Sequence, residues 1–312
     1  QHDFWVVLNN RLGESMSDIE EALADVLPRA RLRVFETLPG IASRDPENSW
    51  ATAASEVIRE AFIAELCPDL VLITSLFEGF LDDAVTSIGA LDTPQAPTMV
   101  VHYDLIPALR PEYITSPEYG EFYDRKLAYL QRADLLLAIS NYSRKEAEDF
   151  LNFPSDRVVN ISAAVEDGFW QFKDGAPAVP EDFSDLGISR PYILCVPGGF
   201  DSRKNLESLL SAFAQLPAGV RRDHQLVIGS KASPYAISKL EAAADTAGLC
   251  ADEWVLTGHL EDIRFRNLFR GSSLFVFPSK HEGFGLPLLE AMTLGLPSIA
   301  SSSTSVGEVM GD

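Results

Sequence analysis

Two carboxylates and two glycines crowd the stretch Ser279-Lys280-His281-Glu282-Gly283-Phe284-Gly285-Leu286-Pro287-Leu288-Leu289-Glu290, which follows the apolar run Leu274–Phe277. The glycines fall where a strand should give way to a helix. Backbone N–H groups at such a junction, aided by the helix dipole, bind anions, and glycine permits close approach. Glu282 sits in the loop, and Glu290, eight residues later, returns to the same helix side about two turns on. Carboxylates so placed can hold two separate sets of hydroxyls on one elongated ligand. The spacing equally suits a solvated loop acid and an ordinary helix-surface glutamate, because paired acids on helices are common.

A second cluster, Pro197-Gly198-Gly199-Phe200-Asp201-Ser202-Arg203-Lys204-Asn205, follows the run Tyr192–Val196. A glycine turn with two cations at a helix start is a diphosphate clamp: the glycines give access and the cations neutralise charge. Cations at a helix N-terminus are otherwise mildly unfavourable, which weighs against a plain surface pair. Thr257-Gly258-His259-Leu260 is read either as a ligand-bordering loop or as a plain strand-ending turn with an exposed histidine. In the N-terminal half, Val101-His102-Tyr103-Asp104-Leu105-Ile106-Pro107 leaves a strand and ends at a proline. Neighbours on a strand point to opposite faces, so one of His102 and Tyr103 faces a site there, while a core histidine is an equal reading of His102. Ser140 suits a helix N-cap, and Glu78 is read first as a solvated loop acid, with acceptor contact as the alternative.

These residues need elements to hold them. Runs at Phe4–Leu8, Leu32–Phe35, Leu70–Thr74, Thr98–His102, Leu135–Ile139 and Val158–Ile161 read as strands, with helical periodicity over 16–27, 50–66, 79–88, 119–132 and 141–150. The pattern breaks over 166–190, which carries Gly168, Gly175, Pro177, Pro180 and Gly187 and reads as a linker between a domain over 1–165 and another over 191–312. Alternation restarts with strands at Tyr192–Val196, Gln225–Ile228, Glu253–Leu256, Leu274–Phe277 and Ser298–Ala300 and helices over 204–215, 234–247, 262–270 and 286–294. Such alternation predicts two α/β halves with parallel sheets, and a ligand cleft near the carboxyl ends of their strands. The chain starts directly in a strand and stops after a strand and a turn, with no closing helix expected, so both ends read as cut.

A chain of 312 residues, 46% hydrophobic and 23% charged, can bury a real core in two domains. No stretch approaches the roughly 20 apolar residues of a membrane span and residues 1–15 lack the order of a signal peptide, so a cytoplasmic location is expected. Cys67, Cys195 and Cys250 are scattered, which favours reduced, buried thiols over a disulfide framework or a zinc site. The net charge of −21 argues against nucleic-acid partners. An anionic ligand then needs a local cluster of cations and N–H groups, which the two glycine loops supply.

The stretch FVFPSKHEGFGLPLLEAMTLGLPSIAS resembles the Glu-x7-Glu signature of glycosyltransferase family 4, a retaining family of GT-B fold with two Rossmann-like domains facing a cleft. The resemblance implies that Glu282 contacts hydroxyls of the donor sugar, that Glu290 holds the nucleotide ribose, and that the backbone of Gly283, Phe284, Gly285 and Leu286 meets sugar and diphosphate. The cluster at 197–205 resembles the family's Gly-Arg-x-x-x-x-Lys phosphate motif, with Lys204 at the lysine position. Gly199 stands where many members carry arginine, which leaves open whether Arg203 supplies the second charge. By the same resemblance, backbone groups near His259 and Leu260 read the base edge. Asp104 falls in a segment that faces the donor sugar; keeping it and Leu105-Ile106-Pro107 in place puts Tyr103 at the family's histidine position and leaves His102 one residue early. Ser140 and Ser143 are similar to the family's Ser-x-x-Ser helix start.

What the resemblance implies is transfer of a hexose from a nucleoside diphosphate sugar to a hydroxyl of a glycan or lipid-linked acceptor, with retention, the leaving diphosphate itself taking the acceptor proton. No metal is required on this reading, and no Asp-x-Asp motif stands in the chain. The words YDLIP and GGFD-x-RKN are similar to bacterial mannosyltransferases of surface polysaccharide assembly, which implies GDP-mannose as donor and is compatible with peripheral membrane contact. Against the family, a first strand with a glycine-rich loop and a final crossing helix are missing, so a fragment with weak or no activity alone is expected. A non-catalytic sugar-nucleotide-binding domain is the alternative. A dinucleotide oxidoreductase would need Gly-x-Gly-x-x-Gly after the first strand of a half, and neither half has it.

Overall fold

The computed structural model describes residues 3–24, 31–93, 95–170 and 181–311. The chain divides into two compact units, Gln1–Ile139 with Arg144–Ile161, and Ser140–Ser143 with Ser162–Asp312. Every strand pairing among the described residues is parallel.

In the first unit, β1 (Val6–Asn9) pairs with β2 (Leu32–Phe35), and a separate sheet runs β3 (Val71–Ile73), β4 (Thr98–His102), β5 (Leu135–Ala138) and β6 (Val158–Asn160) in that order. Its helices are α1 (Met16–Leu23), α2 (Ser49–Glu65), α3 (Ile106–Leu109), α4 (Pro117–Leu130) and most of α5 (Asn141–Leu151). Helix α4 starts where sequence chemistry places it: Ser116 accepts from Tyr119 N, and Pro117 takes the first helical position, where no N–H is needed. The core gathers Ile73, Val100, Leu130, Leu136, Ala138 and Ala147 between sheet and helices. Residues 25–27 of the helix expected over 16–27 lie outside the described residues.

The helix expected over 79–88 is not formed. Tertiary hydrogen bonds claim that segment instead. Ser43 N and Arg44 N donate to the carbonyls of Gly79 and Phe80, Asp83 accepts from Gly40 N and Ile41 N, and Lys126 Nζ donates to the Thr86 carbonyl. Leu81 is exposed while Val85 is buried, so the apolar spacing never made one helical face. Gly79 holds φ +93°, a conformation that side chains rarely adopt.

The second unit is a single sheet ordered β11 (Ser298–Ala300), β10 (Leu274–Phe277), β7 (Tyr192–Cys195), β8 (Gln225–Ile228) and β9 (Trp254–Leu256). Its helices are α6 (Asp167–Trp170), α7 (Leu206–Ala214), α8 (Ala218–Asp223), α9 (Pro234–Ala247), α10 (Asp262–Gly271), α11 (Leu286–Thr293) and α12 (Thr304–Met310). Both sheet faces are covered. Leu194, Val227, Phe275 and Phe277 enter one core, and Cys195, Leu226 and Ile228, the alternate positions, enter the other. Each of the Leu, Val, Ile and Phe side chains among these, fully buried, contributes about 1.5–3 kcal/mol. From the central β7 the chain winds outward through β8 and β9, then returns to lay β10 on the other side of β7. The reversal sets the loops after β7 and β10 side by side, the place where open α/β sheets bind ligands.

Three further expectations change. Among the described parts of 166–190, Phe169, Phe183 and Ile188 are core residues of the second unit and not a solvated connector; Gly175, Pro177 and Pro180 lie outside the described residues. A helix does follow β11: α12 buries Val306 and packs Val309 and Met310 on the same core, although the serine-rich run before it reads as a turn. Of the three thiols only Cys195 is buried, while Cys67 and Cys250 are exposed. Among the described residues, no helix is long and apolar enough to cross a membrane, and no group of three or more His, Cys, Asp or Glu side chains is placed to hold a metal ion.

A Cβ added at Gly79 would lie 2.2 Å from the Ala84 carbonyl oxygen, on backbone that cannot yield as a flexible side chain does. Gly79→Ala should therefore cost at least about 2 kcal/mol, from left-handed strain and overpacking together. Urea unfolding checks this; a midpoint equal to that of the parent chain would refute the hydrogen-bonded turn described for this segment.

Candidate functional site

The site is built on the two loops at the reversal point. After β7 the chain turns at Gly198, φ +65°, and Asp201 then caps a short turn over Ser202–Lys204 by accepting from Arg203 N. Asn205, at φ +59°, ends that turn and launches α7. Two bonds stitch this loop to the one after β10: Asn205 Nδ2 donates to the Pro278 carbonyl at 3.2 Å, and Lys280 N donates to the Arg203 carbonyl at 2.7 Å. The strands beneath are in register, Leu274 with Ile193 and Phe275 with Leu194.

Stitched this way, the loops place Lys204 Nζ 2.6 Å from Glu282 Oε1, and Arg203 Nη1 2.8 Å from Glu282 Oε2. Arg203 also donates to the His281 carbonyl at 3.1 Å, and its Nε meets Asp201 Oδ1 at 3.0 Å. Lys204 is only 5% exposed and Glu282 8%. A buried ion costs several kcal/mol unless paired, so each of these charges requires the other. Gly198 and Gly199 border the ammonium: a Cβ on the first would stand 3.9 Å from Nζ, and one on the second 3.7 Å from the Lys204 Cε.

The loop carrying Glu282 is pinned through its backbone. Glu282 N donates to Thr304 Oγ1, and Ser305 Oγ donates to the carbonyls of Glu282 and Phe284. The segment Ser140–Ser143, which belongs to the same unit, places the Ser140 hydroxyl 2.8 Å from the Gly283 carbonyl, while Ser140 Oγ accepts from Ser143 N as an N-cap. The chain enters α11 at Gly285, φ +108°, and the amides that open a helix find no acceptor inside it. His281, buried, stacks edge-on against Tyr142 at 5.6 Å.

Of the residues singled out in the sequence, Lys204, Arg203, Gly199, Glu282 and the turn Gly283-Phe284-Gly285-Leu286 come together here. Glu290 stands further along α11 in a different setting. Burial, and then the nearby Glu166 carboxylate, raise its carboxyl to about 7. His259 is exposed beyond the outer strand β9, separated from β7 by β8, and Leu260 packs on the core. In the first unit His102 is 1% exposed and Tyr103 50%, as alternation along a strand requires. Asp104 accepts from the N–H of Ile106, the first residue of α3, at 3.0 Å, and Glu78 accepts from Ser75 Oγ. Sequence reasoning missed Asp201, Asn205, Thr304 and Ser305. Only the first two, next to the cation pair, carried a local signal.

Residues 179–312 match the family described as glycosyl transferases group 1. The chain is 35% identical over 299 residues to the serotype-specific mannosyltransferase WbdA of Escherichia coli, a match that takes in 96% of this chain and 36% of that protein. The O-antigen chain mannosyltransferase B of the same organism is 31% identical over 192 residues, covering 59% of this chain and 47% of that one. The chain thus spans little more than a third of the first of these relatives. Among solved structures, the glycosyltransferase from Rickettsia africae ESF-5 matches with a TM-score of 0.62 at 15% identity, over 100% of this chain and 83% of that one. The UDP-forming trehalose-phosphate synthase from Burkholderia xenovorans matches at 0.67 and 13%, over 98% and 86%. At such identities the likeness establishes the fold, α/β of the GT-B class.

The setting of Glu290 has a thermodynamic signature. Its ordinary value is 4.5 and its native value about 7, so between those pH values the native state binds a proton that the unfolded state does not. Its contribution to stability must fall as pH rises through that window, and the penalty is complete above it. Glu290→Gln should leave stability near pH 4.5 almost unchanged and raise it by about 1–2 kcal/mol at pH 8, after discounting for partial exposure. Thermal unfolding across pH measures the difference; an equal effect at both ends would show that Glu290 is solvated.

Proposed function

This chain belongs to the group 1 glycosyl transferases, and from that premise we propose that it moves a hexose from a nucleoside diphosphate sugar to an acceptor hydroxyl, with retention. The observation that carries the reading is the pair of buried or half-buried cations, Lys204 and Arg203, at the reversal point of a chain whose net charge is −21. In so acidic a molecule two cations gathered beside glycine turns at one sheet edge suit an anionic ligand, and a diphosphate leaving group is the anion this family's reaction generates.

On this reading Lys204 and the amides of the Gly283–Leu286 turn stabilise the charge that builds on the leaving diphosphate, with Arg203 supplying the second cation. Fixed donors in a water-poor site do this without reorganising, and in many such reactions they account for most of the rate enhancement. Glu282 takes hydroxyls of the transferred sugar, Glu290 takes the ribose, and backbone near His259 and Leu260 borders the base. The retained stereochemistry follows from same-face attack, with the departing phosphate oxygen accepting the acceptor proton, so the protein's work is orientation. Within the first unit, Asp104 and either Tyr103 or His102 are proposed as sugar-facing residues on the resemblance of their segment alone. The exposed Tyr103 is the more available of the two, since His102 is buried. Mannose as the sugar, GDP-mannose as the donor and a surface-polysaccharide glycan or lipid-linked acceptor are supported by the mannosyltransferase names of two relatives at 35% and 31% identity.

A thermal-shift screen of nucleoside diphosphate sugars tests the reading, since a true donor at a hundred times its Kd adds about 2.7 kcal/mol of stability. GDP-mannose should stand out, and a flat response to every nucleotide sugar would refute it. Lys204→Ala should lower turnover by about a hundredfold or more, in line with loss of one preorganised donor to a developing anion. Binding with no turnover by the full-length protein would support the non-catalytic alternative.

A further inference from the structure

The donor reading asks two things of one carboxylate. Glu282 is to hold sugar hydroxyls, yet both of its oxygens are engaged by the cations proposed for the diphosphate, at 2.6 Å to Lys204 and 2.8 Å to Arg203. With Asp201 on the Arg203 Nε, the cluster holds two positive and two negative side chains, a closed and neutral set. A diphosphate brings at least two further negative charges. Placed on Lys204 beside Glu282 it would set like charges within a few ångströms in a poorly solvated site, an arrangement that proteins avoid by moving or neutralising one of them.

The surroundings determine which part moves. Thr304 holds Glu282 N, and Ser305 holds the carbonyls on either side of Gly283. The Arg203 carbonyl is tied to Lys280 N, and Asn205 to the Pro278 carbonyl. Both loop backbones are therefore fixed, and the Glu282 carboxylate can leave the cations only by rotating about its own side-chain bonds. Gly198 and Gly199 approach the end of the Lys204 side chain without side chains of their own.

We propose that Glu282 is a built-in counter-ion: it holds Lys204 and Arg203 in clamp geometry, exchanges with the donor's diphosphate for the same two cations, and by that exchange is delivered to the sugar hydroxyls. Sugar recognition is then coupled to diphosphate capture. The inference rests on the donor reading and adds a competition inside the site. Its consequence is opposite to that of a purely attractive or structural glutamate: removing the negative charge tightens the binding of a diphosphate that carries no sugar.

The test compares the parent chain with Glu282→Gln by calorimetric titration with inorganic pyrophosphate, GDP and guanosine. Glu282→Gln should bind pyrophosphate and GDP about tenfold more tightly, with guanosine unchanged, while losing transfer activity. Equal or weaker diphosphate binding by a variant with a normal melting profile overturns the exchange and leaves the donor reading standing. Failure of both proteins to bind GDP or pyrophosphate overturns both. Should Glu282→Gln not fold, a crystal structure of the parent chain with GDP decides: a phosphate oxygen on Lys204 Nζ, with Glu282 moved beyond about 4 Å, supports the proposal, and an unbroken Lys204–Glu282 pair sinks it.

Discussion

Two cations cannot be taken out of water without a counter-charge, and that constraint organises the second unit. Lys204 is buried at the end of the short turn that precedes α7, and Arg203 is half-buried beside it. Only Glu282 on the neighbouring loop makes this tolerable, with Asp201 sharing the arginine. The sheet order makes the pairing possible. Strand β10 lies against β7 because the chain reverses after β9, and the two loops that leave those strands therefore stand side by side.

Small hydroxyl side chains do the holding. Thr304 and Ser305, the first two residues of α12, occupy the polar groups of the loop that bears Glu282, and Ser140 does the same for Gly283. A buried carbonyl left unpaired costs about 1–3 kcal/mol, so these contacts turn a glycine-containing loop into a rigid mount. Rigidity of backbone with freedom of one side chain is what separates a clamp from a packed salt bridge. The same helix that follows the mount, α11, carries Glu290 to a half-buried place near Glu166, where burial and then that second carboxylate raise its carboxyl.

The expectations that failed share a cause. Over 79–88 the apolar spacing suggested a helix, but Asp83 and the carbonyls of Gly79, Phe80 and Thr86 are engaged by residues 40–44 and by Lys126, distant in sequence. The run before α12 is serine-rich and reads as a turn, while the hydroxyl of Ser305 serves a loop 23 residues away. Phe169, Phe183 and Ile188 flank a proline- and glycine-bearing stretch and nevertheless complete the core of the second unit. In each case a local pattern competed with a long-range contact, and the contact won, through hydrogen bonds in the first two and through burial of apolar area in the third.

By itself the sequence determined the period of every strand in the second unit, the parallel character of the sheets, and the two glycine loops with their charges, because apolar alternation and glycine-bearing turns report only on the chain within a few residues. Tertiary structure alone decided that Lys204 and Glu282, 78 residues apart, form a buried pair. It also decided that Glu290 lies beside Glu166 and that His102 turns inward while Tyr103 turns out. The reason is that a charge's partner and its degree of desolvation follow from strand order and packing, and periodicity along one chain segment contains neither.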